Sequence, residues 1–431
     1  MFRRFAAVAR TSTLAAALAL GVTALPASAA TAAAPAQPAS PARPAADHGP
    51  APAVTEHLRG KARTAMRAGT ATEPRVGVKR RAGDWAFGTA VLATAPGSPE
   101  LPQGWLFVAH RDNGAWKVAL EGEPGFTGLA AEAEPVLKAA ERRALAATGS
   151  TGPGAPDPDP GTTGTTGTTG TTEGGMTPQL AGGDYRTGMA LPFTVGQTWY
   201  MTSGPHGWSG SGTPWSSLDF AGGDQVVRAA RGGTAYTMCK GWVRVVHDRG
   251  YATDYYHLVS NINVDGAAVA AGAYLGYTGN DVTCGGSSTG RHVHFALRQN
   301  GAYVGIAGHD FGRWRPENGG SAYAGSALHG SRRVAAGGQL YNYGALGFNQ
   351  GIIDTNGSGT TLNKRSGPGT GYAVVGSVAD GVGVTVSCSK NGTTHTGRFG
   401  STALWNRLSD GTWVSDAYMW TGVNGPVSGY C

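Results

Sequence analysis

The sequence predicts a mainly β protein: an antiparallel β domain and a smaller C-terminal β domain, preceded by a small α+β unit. Three observations carry that prediction. Of 431 residues, 71 are glycine, far above the usual share of about 7%, which marks a loop-rich chain. Short runs of strand character recur after residue 181, among them "GWVRVVHD" and "TDYYHLVS", joined around "DRGYA". Asn113-Gly114 and Asp410-Gly411 are strong two-residue hairpin turns.

In chain order, residues 1–29 pass from the basic MFRRFAAVAR through an apolar run to a small-residue cleavage pattern at Ala29, the layout of an export signal. Arg3 and Arg4 leave both the general and the twin-arginine route open. No later run reaches the ~20 apolar residues a membrane span needs, so a secreted, extracellular protein is expected. Residues 30–82 are rich in Ala, Pro and Arg without a sustained period and read as disordered. Over 83–145, "WAFGTAVLAT" and "GWLFVAHRDNGAWKVALEG" supply strands and "EAEPVLKAAERRALAA" a short helix. Residues 146–180, with "TGPGAPDPDPGTTGTTGTTGTTEGG", hold almost nothing apolar and form a linker separating the N-terminal unit from the two β domains. A folded segment between an export signal and a cleavable linker points to a removable propeptide, with an independent binding module as the competing reading. The larger β domain covers 181–334, a Gly-rich connector 335–350, and the smaller β domain 351–431, with strands in "AVVGSVA", "GVTVSCS", "ALWNRLS" and "TWVSDAYM".

The formal net charge of +7 divides into +3 over 1–182, +1 over 183–330, +2 over 331–350 and +1 over 351–431. No domain is strongly basic, which argues against nucleic acid as a partner and leaves room for weak attraction to an anionic cell wall. Four cysteines, Cys239, Cys284, Cys388 and Cys431, are an even number in an exported chain and predict two disulfides. Three pairings are possible; pairing within domains joins Cys239 to Cys284 and Cys388 to Cys431. Zinc binding by cysteine is disfavoured because no CxxC spacing occurs.

The chemistry centres on "GRHVHFALRQNG", residues 290–301. As a strand it puts His292, His294, Ala296 and Arg298 on one face and Val293, Phe295 and Leu297 on the other. Taken alone, two solvated histidines would satisfy that pattern. Upstream, "GPHGWSGSGTPWSSLDF" carries His206 after a Gly-Pro turn and Asp219 in a short apolar run, and "YYHL" carries His257. Neutral imidazoles and one carboxylate are a sufficient zinc set, three protein ligands that leave the fourth tetrahedral position to water.

The blocks "GPHGWSGSGTPWSSLDFAGGD", "GTAYTMCKGWVRVVHDRGYATDYYHL" and "GRHVHFAL", in that order, resemble the M23 family of zinc metallopeptidases, specifically its β-lytic and staphylolytic subgroup of secreted bacterial enzymes, over about residues 181–330. The resemblance implies one zinc per chain, held by His206, Asp219 and His294, with His257 and His292 at the two non-ligand catalytic positions. The thirteen-residue step from His206 to Asp219 is longer than in many members and fits the β-lytic subgroup. Either His257 or His292 would be general base, and the other could stabilise the oxyanion. Tyr200 and Tyr256 are candidate oxyanion donors or substrate contacts. His247, His309 and His329 match no family position and read as surface histidines, Asp224 and Asp254 as turn or rim residues. Trp208 and Trp215 either line the groove or fill the core.

"LNKRSGPGTGYAVVGSVADGVGVTV" and "WNRLSDGTWVSDAYM" resemble a bacterial SH3 domain over about 351–431. That small β-barrel implies binding of cell-wall peptides and a tether to the substrate, with Tyr372, Trp405 and Trp413 in its ligand site or its core. The resemblances imply a zinc endopeptidase whose partners are bacterial peptidoglycan peptides cut at Gly-Gly or D-Ala-Gly bonds; with the expected signal and propeptide, the chain is expected to be a secreted monomer made as a zymogen. A non-catalytic wall-binding or regulatory protein on the same scaffold is the second reading; the intact set of five site residues argues for the first.

Overall fold

The computed structural model of the protein describes residues 49–66, 73–147, 183–357 and 361–431. The expected signal at 1–29, with Arg3, Arg4 and Ala29, and nearly all of the expected linker at 146–180 lie outside the described residues. Among the described residues no helix is long and apolar enough to cross a membrane.

The stretch expected to be disordered has regular structure where it is described. Ala51–Met66 form helix α1 and Glu73–Ala82 form strand β1. One apolar residue per turn suffices for α1: Val54, Leu58 and Ala62 recur every fourth residue on one face and all three are buried. The Ala- and Arg-rich residues around them hide that period. β1 pairs along its length with β2 (Trp85–Ala93), and β3 (Gln103–Asp112) and β4 (Ala115–Leu120) complete an antiparallel meander. Asn113 and Gly114 turn β3 into β4 at φ 50° and 83°, the left-handed pair that a tight hairpin requires. Ala86, Ala90 and Leu92 of β2 pack under α1, while Phe87 and Val91 face the other way. Helices α2 (Phe126–Glu132) and α3 (Ala139–Ala146) come next, the second inside the run expected to be helical. The described part of this N-terminal unit thus reaches back to residue 49, ahead of the expected boundary at 83.

The main sheet is built from β5 (Thr198–His206), β6 (Ser217–Ala221), β7 (Gly233–Cys239), β8 (Trp242–Val246), β9 (Tyr251–Tyr256), β10 (Asp265–Val269), β11 (Val293–Gln299) and β12 (Gln339–Tyr341). Their order is β10-β7-β8-β9-β11-β6-β5-β12, each pair antiparallel, and the two-residue strand Ala302–Tyr303 pairs with β11 off this path. β12 lies in the stretch expected to be a connector. Leu340 alternates inward and is buried, and Gln339 and Tyr341 flank it outward, so 335–350 contributes an edge strand instead of a free tether.

β11 divides its side chains as its alternation requires. Val293, Phe295 and Leu297 enter a core with Leu218, Phe220, Val243, Val245 and Tyr255. His294, Ala296 and Arg298 take the opposite face, beside Tyr256, Asp254 and Ala252 of β9 in register. On that second face the N-terminal unit docks: Phe87, Leu106, Val108 and Phe126 share one apolar cluster with Tyr236, Met238, Trp242 and Tyr256. Burying side chains of this size stabilises by roughly 1.5–3 kcal/mol each. The two parts therefore share a core, whereas the linker composition had suggested that they stand apart. Gly104 of β3 lies directly on Trp242, where a Cβ would come within 2.5 Å of the indole Cη2.

The C-terminal part is a seven-stranded sheet whose last strand, Met419–Trp420, returns to pair with Gln350–Ile353. The other strands include Val374–Ala379, Gly383–Gly397, Gly400–Leu408 and Trp413–Ser415, which overlap the four runs expected to be strands. Ile353, Val386, Leu408, Val414 and Met419 form its core. The disulfides join Cys239 to Cys284 and Cys388 to Cys431, the pairing within domains, and the second fixes the final residue of the chain.

Candidate metal centre and cleft

Strand register assembles the site. His294 stands opposite Asp219 of β6 on one side and Tyr256 of β9 on the other. His206 ends β5 opposite Ser217, after two register shifts that turn the strand end toward β6. His206 Nε2, His294 Nδ1 and Asp219 Oδ1 converge with edges of 3.2, 3.0 and 3.5 Å, and all three residues are buried. Three N and O donors placed tetrahedrally around zinc at about 2.0–2.1 Å would stand roughly 3.3–3.4 Å apart. The triangle fits that ion closely.

The electrostatics suit a cation. Burial disfavours ionisation of Asp219, yet the facing imidazoles of His206 and His294 hold its carboxyl far below the usual range. Burial lowers His206 to about 4, against the pull of Asp219, so its imidazole is neutral and its ring nitrogen free to ligate. The Nδ1 of His206 donates to Gly204 O at 2.8 Å, because a carbonyl can only accept. That bond fixes the tautomer and leaves Nε2 as the donor atom toward the metal.

The other two histidines flank the triangle. His257 follows β9 with its backbone at φ 66°, a left-handed conformation costly for this residue, and this turn takes the chain out of the strand. Its Nδ1 donates to Asp281 O at 3.0 Å, and burial lowers it to about 3. His292 Nδ1 donates to Gly290 O at 2.7 Å, and its Nε2 lies 3.7 Å from Asp219 Oδ1. The two rings are 4.9 Å apart. Both residues line a cleft of about 340 Å³, and the tautomer that donates through Nδ1 leaves Nε2 as the acceptor in a neutral ring.

Not every expected site residue joins them. Tyr256 is fully buried, and its hydroxyl donates to Gly285 O at 2.6 Å, so it is no oxyanion donor. Tyr200 is an exposed residue of β5 and is absent from the cleft lining. The tyrosine at the cleft is Tyr323, stacked on His206 with ring centroids 4.3 Å apart; nothing local in "GGSAYAGS" marked it. His247, His309 and His329 are buried, against the expectation of surface positions; His247 and His329 are held by hydrogen bonds to Thr253 and Arg313 O, and the His309 ring packs against Tyr185 and Tyr251. Asp254 is a buried ion-pair partner of Arg244, whereas Asp224 caps a turn at Val226. Trp208 both lines the cleft and packs on Trp242 and His294.

The cleft also receives the N-terminal unit. Pro99 and Leu101 are among its lining residues. Thr94 N–H donates to Cys284 O at 3.1 Å and Gly97 N–H to Gly286 O at 2.7 Å, while Ser209 Oγ donates to Glu100 and accepts from Leu101 N–H. The 94–102 loop therefore spans from the 284–286 loop on one side to Trp208 and Ser209 on the other.

An antiparallel sheet that brings a buried His–Asp–His triangle and two further imidazoles to an open cleft has the donor set and the proton acceptors of a single-ion metal site. The model of peptidase family M23 matches residues 213–306, a span that holds Asp219, His257, His292 and His294 and begins after His206. Protease LasA of Pseudomonas aeruginosa is 40% identical over 146 residues, 31% of this chain and 35% of that one. The β-lytic metalloendopeptidase of Lysobacter enzymogenes is 33% identical over 147 residues, 31% of this chain and 82% of that one. The solved structure of pseudoalterin, a novel M23 metalloprotease from the deep sea, is 36% identical, covers 36% of this chain and 97% of its own, and superposes with a TM-score of 0.34. The chain belongs to peptidase family M23. It spans about a third of the length of LasA.

Proposed function

We propose that the protein is a secreted zinc metalloendopeptidase that hydrolyses peptide cross-links of bacterial peptidoglycan, at bonds of the Gly-Gly or D-Ala-Gly type. The observation that carries this reading is the buried triangle of His206 Nε2, His294 Nδ1 and Asp219 Oδ1, with edges of 3.0–3.5 Å. These three residues would hold one zinc, which supplies Lewis acidity and makes water a nucleophile near neutral pH. His257 and His292, each with Nδ1 fixed on a carbonyl, use Nε2 to take a proton from the attacking water and return one to the leaving amine. Burial, which lowers His257 to about 3, keeps its ring neutral. Kinship with the β-lytic relatives supports short-side-chain wall bonds, and two disulfides support an extracellular site of action.

The N-terminal unit acts in this reading as a propeptide, supported by Pro99 and Leu101 in the cleft, and the chain is latent until that unit leaves. The C-terminal sheet serves as an SH3-like wall tether, raising the local concentration of substrate. Zinc content and peptide release from purified peptidoglycan, read by mass spectrometry on processed protein, test the assignment. Wild type should hold about one zinc; His294→Ala loses the metal and the activity, and His292→Ala keeps the metal and loses the activity. A wild type without zinc and without peptide release would make the scaffold a wall-binding protein.

A further inference from the structure

The sheet face that carries His294 continues beyond the metal centre, and its charges balance only with the N-terminal unit in place. Arg244, Asp254 and Arg298 lie on it, and none is more than 3% exposed. Asp254 accepts from Arg244 Nε and Nη2 at 2.8 Å each, from Trp242 Nε1 at 2.8 Å and from Tyr303 Oη at 2.9 Å. Its capacity is spent within the main sheet. Two guanidinium groups against one carboxylate leave a net positive charge, directed through Arg244 Nη1 at the N-terminal unit.

That unit answers with a single carboxylate. Glu121 Oε2 accepts from Arg244 Nη1 at 2.5 Å and stands 3.7 Å from Arg298 Nη2. Its Oε1 is buried without a partner among the described residues. A main-chain track leads there from the cleft: Leu101 N–H donates to Ser209 Oγ at 2.8 Å, Pro102 O accepts from Trp208 Nε1 at 2.8 Å, and Gly104 O accepts from Arg244 Nη2 at 3.2 Å. A glycine-containing extended segment is thus gripped through its backbone, with a carboxylate beside it in an arginine pocket. As a mere fastening between two units this would be a poor choice, since a buried ion pair is seldom better than an apolar contact of the same volume. When that unit leaves, Glu121 goes with it, and the Arg244 Nη1 it occupied is left beside the track with no carboxylate of the main sheet to pair with, since Asp254 is spent on Arg244 Nε and Nη2; the place then suits another carboxylate.

We propose that Arg244 and Arg298 form a carboxylate subsite of the processed enzyme, which takes an acidic residue of the peptide substrate away from the scissile bond, and that Glu121 holds this place in the uncut chain. The proposal rests on the peptidase reading above, in which the N-terminal unit leaves. The test uses the full chain cut once within 148–182 and a set of glycine-rich peptides carrying Glu or Gln at each successive position on either side of the scissile bond. Binding is read from tryptophan fluorescence, since Trp208 and Trp242 border the track, and cleavage by mass spectrometry. At one position the Glu peptide should bind about tenfold more tightly than its Gln twin, the ratio falling to near one in Arg244→Gln and shrinking in Arg298→Gln. The uncut chain, with Glu121 in place, should show no preference. Equal affinities at every position in the wild type, or a preference unchanged in both variants, overturns the subsite; the wild-type comparison stands whether or not the variants fold. A Glu preference without cleavage of any peptide would sink the peptidase reading and leave the subsite standing.

Discussion

Replacing Gly104 by alanine should switch on the uncut chain. The new Cβ would meet Trp242 Cη2 at 2.5 Å, Trp242 Cζ3 at 2.9 Å and Met238 Cε at 3.2 Å. Carbon atoms settle about 3.5–4.0 Å apart, so the N-terminal unit has to rise by roughly 1 Å over the indole. Overpacking of this kind costs about 1–3 kcal/mol. All three atoms belong to the main sheet, so the cost falls on docking and not on the folding of the N-terminal unit itself. The ratio of undocked to docked chain then rises roughly 5- to 150-fold, at tenfold per about 1.4 kcal/mol. In the propeptide reading proposed above, undocking takes Pro99 and Leu101 out of the cleft that they line, so hydrolysis should rise by the same factor. The assay is the initial rate on a quenched glycine-rich peptide, with mass spectrometry confirming that the chain stays uncut. Gly128→Ala on α2, where a Cβ meets nothing within 4 Å, is the control. A wild-type rate for Gly104→Ala, or an equal rise in the control, would refute the reasoning.

Two further outcomes concern groups remote from the cleft. Burial, opposed by the backbone N–H of Arg313 and the guanidinium groups of Arg313 and Arg315, pushes Asp310 up to about 8. The folded chain then binds this proton more tightly than the unfolded one, so stability is greatest at low pH and falls as pH climbs from about 4 to about 8, by up to about 1.4 kcal/mol per unit. Asp310→Asn should flatten that decline in urea midpoints compared at pH 5 and pH 8; a parallel decline would show that Asp310 does not titrate there. Opening the Cys388–Cys431 link by a double change to serine releases a loop with a sequence separation of 43. It should cost the C-terminal sheet about 4 kcal/mol, seen as faster hydrogen exchange over 383–408 with exchange in β11 unchanged.

How much of this was legible depends on the range of the contacts involved. The alternation in "HVHFALR" places Val293, Phe295 and Leu297 in the core and His294 on the other face without any partner being known, because strand geometry is local. The turns at Asn113-Gly114 and Asp410-Gly411 were legible for the same reason. Joining His206 to Asp219 across thirteen residues was not local and came through resemblance to a family. α1 was missed because Val54, Leu58 and Ala62 are sparse among residues typical of disorder, and their burial is supplied by a sheet beginning only at residue 73. Tyr256 was misplaced because, although it lies beside His294 and its ring is 4.4 Å from that of His257, its hydroxyl is spent on Gly285 O, a partner 29 residues away that the sequence does not reveal. Glu121 and Arg244, 123 residues apart, carry no sequence signal of their meeting, and the same is true of Tyr323 on His206.

The ligand triangle sits on β5, β6 and β11, and the strands that bear it are held in register by core residues on their other faces, with Leu218, Phe220, Val293 and Phe295 all essentially inaccessible. A one-residue slip of β11 would have to push its whole apolar set out of that core. Geometry at the centre is therefore set by packing before any ion arrives. In small zinc modules the free energy of metal binding is the free energy of folding, and chelators denature them. Here the two should be separate quantities: in the peptidase reading, removing an ion held by His206, Asp219 and His294 should stop hydrolysis while the scaffold stays folded, and adding the ion back should restore activity without a refolding step.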